Sequence, residues 1–194
     1  MNESELTGMV RKNITILCFG MEVGESRKQP WHSVLGLASG LKQHGFTVSL
    51  ITDAVCPPST IFNIIQIENI YQKNRPSAAL LTAISAVRPD RIIILAGTQE
   101  LLYPERFSLN VPVSLLIGNQ RFDSRELMRI SIDDYLHEWG MLKLPIIQSL
   151  IPAFLLRRGL LKSGVRHLIY LSDASQQCHA RAGLPPGTVI RPRV

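Results

Sequence analysis

No stretch of the 194 residues holds the about 18 consecutive apolar positions that a membrane-spanning helix needs. A spanning protein is therefore not expected. The N-terminus, Met1-Asn2-Glu3-Ser4-Glu5, is acidic and lacks the apolar core of a secretory leader. Cysteine is scarce: Cys18, Cys56 and Cys178 are odd in number and far apart in the chain, which argues against a disulfide framework. Buried reduced thiols and a cytoplasmic location are the expectation. Aromatic residues make up only 6%, and they do not interleave with the basic ones as they would on a strand-binding surface, so nucleic acid is not an expected partner. No Gly-x-Gly-x-x-Gly occurs, which removes the dinucleotide fingerprint and makes a nicotinamide-dependent oxidoreductase remote. Neither a cofactor nor a metal is expected.

Acidic residues are missing from one region in particular. From residue 151 onward, seven basic residues (Arg157, Arg158, Lys162, Arg166, Arg181, Arg191 and Arg193) face a single acid, Asp173, so this part carries the whole net charge of +6. The first 150 residues are balanced. A basic C-terminal part points to an anionic neighbour: a phosphate or pyrophosphate, acidic lipid headgroups, or the acidic face of another domain.

What is present is a 45% hydrophobic chain in short apolar runs separated by amphipathic stretches, enough for a proper core. Ile14–Phe19 reads as a strand buried on both faces and ending at Gly20. The spacing of Val34, Leu35, Leu37, Ala38 and Leu41 predicts a helix ending at Gly45, and Phe46–Ile51 is the next strand. Further strands are expected at Asn63–Ile67, Arg91–Ala96, Val111–Ile117, Val165–Leu171 and from Thr188. Helices are expected over Ser77–Val87, from about Ser124 to Leu161, and over Ala174–Ala182. Strands that alternate with helices require parallel crossovers, so the expected fold is α/β, a Rossmann-like doubly wound and mainly parallel sheet. Such sheets take ligands beyond the carboxyl ends of their strands, which makes the loops after Phe19, Thr52, Ala96, Ile117 and Leu171 the functional rim.

Two regions carry a resemblance. Gly20 and Gly24, Pro30-Trp31-His32, and the run Leu37-Ala38-Ser39-Gly40-Leu41-Lys42-Gln43-His44-Gly45-Phe46-Thr47-Val48 resemble the first βαβ unit of GT-B glycosyltransferases. Within these, the run is similar to the retaining family 4, the glycogen-synthase and sucrose-synthase group, whose pattern is Leu-Ala-x-x-Leu-x-x-x-Gly-His-x-Val. Phe46 stands where that pattern has His. At the far end, Tyr170-Leu171-Ser172, the helix after it, Ala182-Gly183 and Thr188-Val189-Ile190-Arg191-Pro192-Arg193-Val194 are similar to the strand, helix and interdomain hinge of the same family.

The resemblance implies an acceptor-binding N-terminal domain over 1–187, with 188–194 beginning the hinge to a second domain that holds the nucleotide sugar. The chain by itself would then be inactive, with a sugar or lipid-linked acceptor as its ligand and carbohydrate biosynthesis as its setting. Candidate acceptor contacts are Gly20, Gly24 and Glu25 in the loop after the first strand, His32 in the first helical turn, and Asn119 and Gln120 after the Val111–Ile117 strand. Each has a plainer alternative: a turn at the glycines, a surface histidine, and a Gly-Asn turn at the amides. Gly118 occupies a position where similar enzymes often carry histidine, so no catalytic residue is assigned. Ser172 either faces the interdomain cleft or simply caps the helix that follows it. Asp53, after the second strand, suits a ribose contact less well than a plain loop position.

Leu144–Leu156 is apolar and is followed by Arg157, Arg158 and Lys162. The stretch over 144–162 reads either as a buried helix or as a segment resting peripherally on the inner face of a membrane. A competing reading of the whole chain is a stand-alone Rossmann-like binding or regulatory module that docks an acidic or phosphorylated partner.

Overall fold

A computed structural model describes residues 12–19, 31–54, 63–118, 124–139 and 144–190. Seven strands form one sheet: β1 (Asn13–Cys18), β2 (Thr47–Thr52), β3 (Asn63–Gln66), β6 (Arg91–Ala96), β7 (Val113–Ile117), β8 (His167–Tyr170) and β9 (Thr188–Val189). Their order is β3-β2-β1-β6-β7-β8-β9, and every neighbouring pair is parallel. The chain winds outward from β1 in one direction and then outward from β6 in the other. This is a doubly wound, Rossmann-like α/β sheet, as the alternation of elements predicts.

The apolar runs build two cores because successive side chains of a strand point to opposite faces. Ile92, Ile94 and Ala96 of β6 lie in one cluster with Leu17, Leu115 and Ile117, whereas Ile93 and Leu95 lie in the other with Ile16, Cys18 and Leu116. Helix α1 (Trp31–Gln43) covers the second cluster with Val34 and Ala38, and α2 (Ala78–Val87) covers the first with Leu80 and Ile84. Removing Ile92 and Ile94 completely from water stabilises the sheet by roughly 1.5–3 kcal/mol each.

Local signals set the helix ends. Gly45 adopts φ +82°, and the Phe46 N–H bonds the Leu41 carbonyl at 3.1 Å, which closes α1 where the glycine predicts. Ser77 caps α2, its Oγ accepting from the Leu80 N–H at 3.1 Å. That helix ends on Arg88, a non-glycine at φ 50° whose N–H bonds the Ile84 carbonyl, and Pro89 follows.

Some elements differ from expectation. The stretch between β3 and α2 contains a small hairpin, β4 (Tyr71–Gln72) with β5 (Arg75–Pro76), turned through Lys73 and Asn74 at φ 49° and 61°. Two short 3₁₀ helices, Thr98–Leu102 and Pro104–Phe107, link β6 to β7. The helical region expected over 124–161 consists of α3 (Ser124–Arg129), α4 (Ile132–Trp139), α5 (Leu144–Leu150) and α6 (Ala153–Ser163). Pro152 separates α5 from α6, having no N–H to continue a helix. Helix α7 (Asp173–Arg181) packs His179 against Tyr170. Of the cysteines, Cys18 is buried and Cys178 half-buried, neither in a disulfide, while Cys56 lies outside the described residues.

Candidate functional site

The strand order reverses between β1 and β6, so the crevice beyond their carboxyl ends is where a doubly wound sheet receives a ligand. Phe19 leaves β1 there, and Gly97 leaves β6. Phe19 meets the Tyr71 ring edge-on, with centroids 5.0 Å apart and planes at 86°. The hairpin is thus brought up to the rim.

Beside it the two 3₁₀ helices form a clamp around one guanidinium. Arg106 pairs with Glu100, donates from Nη2 to Asn74 Oδ1 at 2.6 Å, and lies 5.2 Å from the Tyr71 ring centroid and 4.7 Å from that of Tyr103. The carboxylate, the Asn74 amide oxygen and the two rings occupy both terminal nitrogens and the faces of the guanidinium, so this arginine ties the hairpin to the 3₁₀ helices. Two polar atoms of the cluster, Arg106 Nε and the Tyr71 hydroxyl, are buried without a hydrogen-bond partner, and so is Thr98 Oγ1 at the start of the first 3₁₀ helix. Burial lifts the Tyr71 phenol far above its ordinary range; nearby Glu100 adds to the shift and Arg106 opposes it.

The β6 loop has a second tether. Gln148 of α5, almost fully buried, donates from Nε2 to Gln99 Oε1 at 2.8 Å. Gln99 folds back over Gly97, in space that a Cβ at position 97 would occupy. The amide pair fixes the rim between β6 and the helical region. After β2, Thr52 Oγ1 accepts from the Ala54 N–H at 3.1 Å and shapes the turn that holds Asp53.

The residues singled out from the sequence fare unequally. Gly20, Gly24, Glu25, Asn119 and Gln120 lie outside the described residues. His32 falls in the first turn of α1, as expected, and Gly118 directly follows β7. Ser172 follows β8, and its Oγ accepts from the Ser175 N–H at 3.1 Å, capping α7. The strand before Ser172 lies three places from β1 in the sheet, roughly 14 Å at the usual strand spacing. His32, in α1, and Ser172, at the start of α7, thus belong to different elements of the sheet's surroundings. Sequence reasoning missed the Tyr71, Asn74, Glu100, Tyr103 and Arg106 cluster and the Gln99–Gln148 pair. The sequence signal nearest to them is the strand end at Ala96, whose following loop was expected on the rim. Among the described residues, no group of three His, Cys, Asp or Glu side chains could hold a metal ion.

No protein-family model matches the sequence, and no curated protein matches it. Solved structures do match by shape. A glycosyltransferase from Rickettsia africae ESF-5 superimposes with a TM-score of 0.52 at 10% identity, over 93% of this chain and 42% of that one. The two share a fold. WaaG, a glycosyltransferase involved in lipopolysaccharide biosynthesis, gives a TM-score of 0.43 at 9% identity over 87% of this chain and 41% of its own. UDP-GlcNAc 2-epimerase from Neisseria meningitidis, bound to UDP-GlcNAc, gives 0.44 at 10% identity over 92% and 45%. The chain spans less than half the length of each.

Proposed function

We propose that this chain is the acceptor-binding half of a GT-B glycosyltransferase of the retaining family 4 type, which moves a sugar from a nucleotide-sugar donor to a sugar or lipid-linked acceptor. The observation that carries the reading is the doubly wound sheet, a fold shared with a glycosyltransferase of which the chain covers 42%. The two sequence runs that resemble that family support it. In this reading residues 1–187 form the acceptor domain, and 188–194 begin the hinge to a second domain that holds the nucleotide.

The chemistry would take place in the cleft between the two domains. In such a transfer the protein orients the acceptor hydroxyl towards the anomeric carbon and stabilises the departing diphosphate. Gly20, Gly24, Glu25 and His32, which follow β1 in the sequence, and Asn119 and Gln120, which follow β7, would hold acceptor hydroxyls. Ser172 would stand at the cleft's far end. Gln99, held by Gln148, follows β6, the strand between β1 and β7.

Calorimetry on the chain separates the halves of this proposal. The expected outcome is measurable affinity for saccharide acceptors and negligible affinity for uridine diphosphate sugars. Tight nucleotide binding by this chain would defeat the acceptor-domain reading. Sequencing the coding DNA beyond Val194 checks the hinge.

A further inference from the structure

The backbone at position 97 does not call for glycine. Gly97 sits at φ −80° and ψ 162°, an extended conformation open to any L-residue, and glycine there costs conformational entropy that alanine would not. What calls for it is the space beside it. A Cβ at this position would collide with Cδ, Oε1 and Nε2 of Gln99, so the absent side chain makes room for one amide group. Gly97 is the first residue beyond β6, and β6 lies beside β1 where the strand order reverses. The Gln99 amide is therefore seated directly past the carboxyl end of a switch-point strand, where a doubly wound sheet receives its ligand.

That amide is held and yet has capacity left. Its Oε1 accepts from Gln148 Nε2 at 2.8 Å, and Gln148 is only 2% exposed, so the tether comes from a packed side chain. Among the described residues nothing accepts from Gln99 Nε2, whose two N–H donors belong to a half-buried side chain and are not sealed from solvent. The surroundings are uncharged. The link from Gly97 to Pro112 contains one cation, Arg106, and Glu100, Asn74 and two rings already hold it. A phosphate or carboxylate is recognised by a facing cation, whereas a sugar hydroxyl is served by an amide N–H.

We propose that Gln99 Nε2 is a saccharide-binding group that donates to a sugar hydroxyl, and that Gln148 is the positioning residue that aims it. This rests on the acceptor-domain reading and narrows it: the ring that lies beyond β6 is a neutral sugar, not a sugar phosphate or a sugar acid. Because Gln148 already fixes the amide, binding has one flexible side chain less to order.

Nuclear magnetic resonance of the side-chain amides in the nitrogen-labelled chain tests it. The probes are the methyl glycosides of glucose, galactose, mannose and N-acetylglucosamine, with glucose 6-phosphate and glucuronate as charged counterparts. A neutral glycoside is expected to shift the Gln99 amide signal, and the charged probes to bind about tenfold more weakly. Gln99→Met and Gly97→Ala should each weaken glycoside binding about tenfold, the effect of losing one good hydrogen bond. Gly97→Ala removes no polar group and suits its backbone, so its loss of affinity would act through the displaced amide. Gln148→Met should weaken binding and abolish the glycoside-induced shift of the Gln99 signal, an effect that a purely structural role would not produce. Thermal unfolding shows which variants fold, and the wild-type Gln99 signal decides by itself if one does not. A glycoside that binds without moving that signal, affinity unchanged in folded Gln99→Met or Gly97→Ala, or tighter binding of the charged probes overturns the proposal and leaves the acceptor-domain reading standing. Absence of binding by all four glycosides to the wild-type chain defeats both.

Discussion

Arg106 reaches 32 residues back along the sequence to hydrogen-bond Asn74 at 2.6 Å, fastening the turn of the β4–β5 hairpin to the link between β6 and β7. Both residues of that turn, Lys73 and Asn74, sit at positive φ, a backbone state that costs a non-glycine residue roughly 1 kcal/mol and persists only where surroundings hold it. Arg106 supplies part of that hold. The clamp stands at the rim of the switch point, so its integrity bears on the candidate site.

Replacing Arg106 with Ala should therefore destabilise the fold by about 2 kcal/mol, because it strands Glu100, which is only 14% exposed, and releases Asn74. Arg106→Lys should recover little, since an ammonium cannot serve the carboxylate, the amide and two rings together. Chemical denaturation of the three proteins measures both effects. A full rescue by Lys would show that charge alone matters there.

Two kinds of helical glycine should respond oppositely to Ala. At Gly159 the added methyl meets the Leu101 carbonyl, and a loss of about 1–3 kcal/mol is expected as α6 is pushed off the first 3₁₀ helix. At Gly40, within α1, nothing lies within 4 Å of the added group, and Ala should stabilise by about 0.5–1 kcal/mol. Thermal unfolding of the two variants reads the difference in sign.

Alkaline pH should weaken the fold through a buried phenol. Tyr170 donates to the Pro185 carbonyl at 3.0 Å, and burial pushes its pKa up from 10.0 to about 12. The folded protein thus keeps a proton that the unfolded chain releases first, so this stabilisation is complete below pH 10 and is lost as pH rises towards 12. The loss amounts to about 2 kcal/mol. Tyr170→Phe should flatten that limb of a stability profile, leaving the part due to Tyr71, whose phenol is raised further still. An unchanged slope in the Phe variant would show that Tyr170 does not titrate in this window.

At the candidate site, His32→Ala and the pair Asn119→Ala/Gln120→Ala should each weaken saccharide binding about tenfold, the usual effect of losing one good hydrogen bond. Thermal unfolding should hardly change. Ser172→Ala should instead lower stability by about 1 kcal/mol through loss of the α7 cap, and Ser172→Asp should restore it. A variant of His32 that binds saccharides normally would remove that residue from the site.

Gly97 and Gln99 show where the sequence stops being informative. The sequence by itself determined the alternation of strand and helix: β6 was legible as Arg91–Ala96, α1 was bounded by Gly45, and α2 was bounded by Ser77. These are matters of periodicity and capping, which depend on neighbours within about a turn of the chain. Ser172 was legible too, since an N-cap is a local hydrogen bond. The tertiary structure alone decided which side chains gather at the rim. Arg106 finds Asn74 across 32 residues and Gln148 finds Gln99 across 49, distances at which sequence spacing carries no directional information. The exposure of Phe154 and Leu161 on α6 was likewise hidden in an apolar run, because helical period admits more than one rotation. Gly159, pressed against the Leu101 carbonyl, selects the one that is adopted.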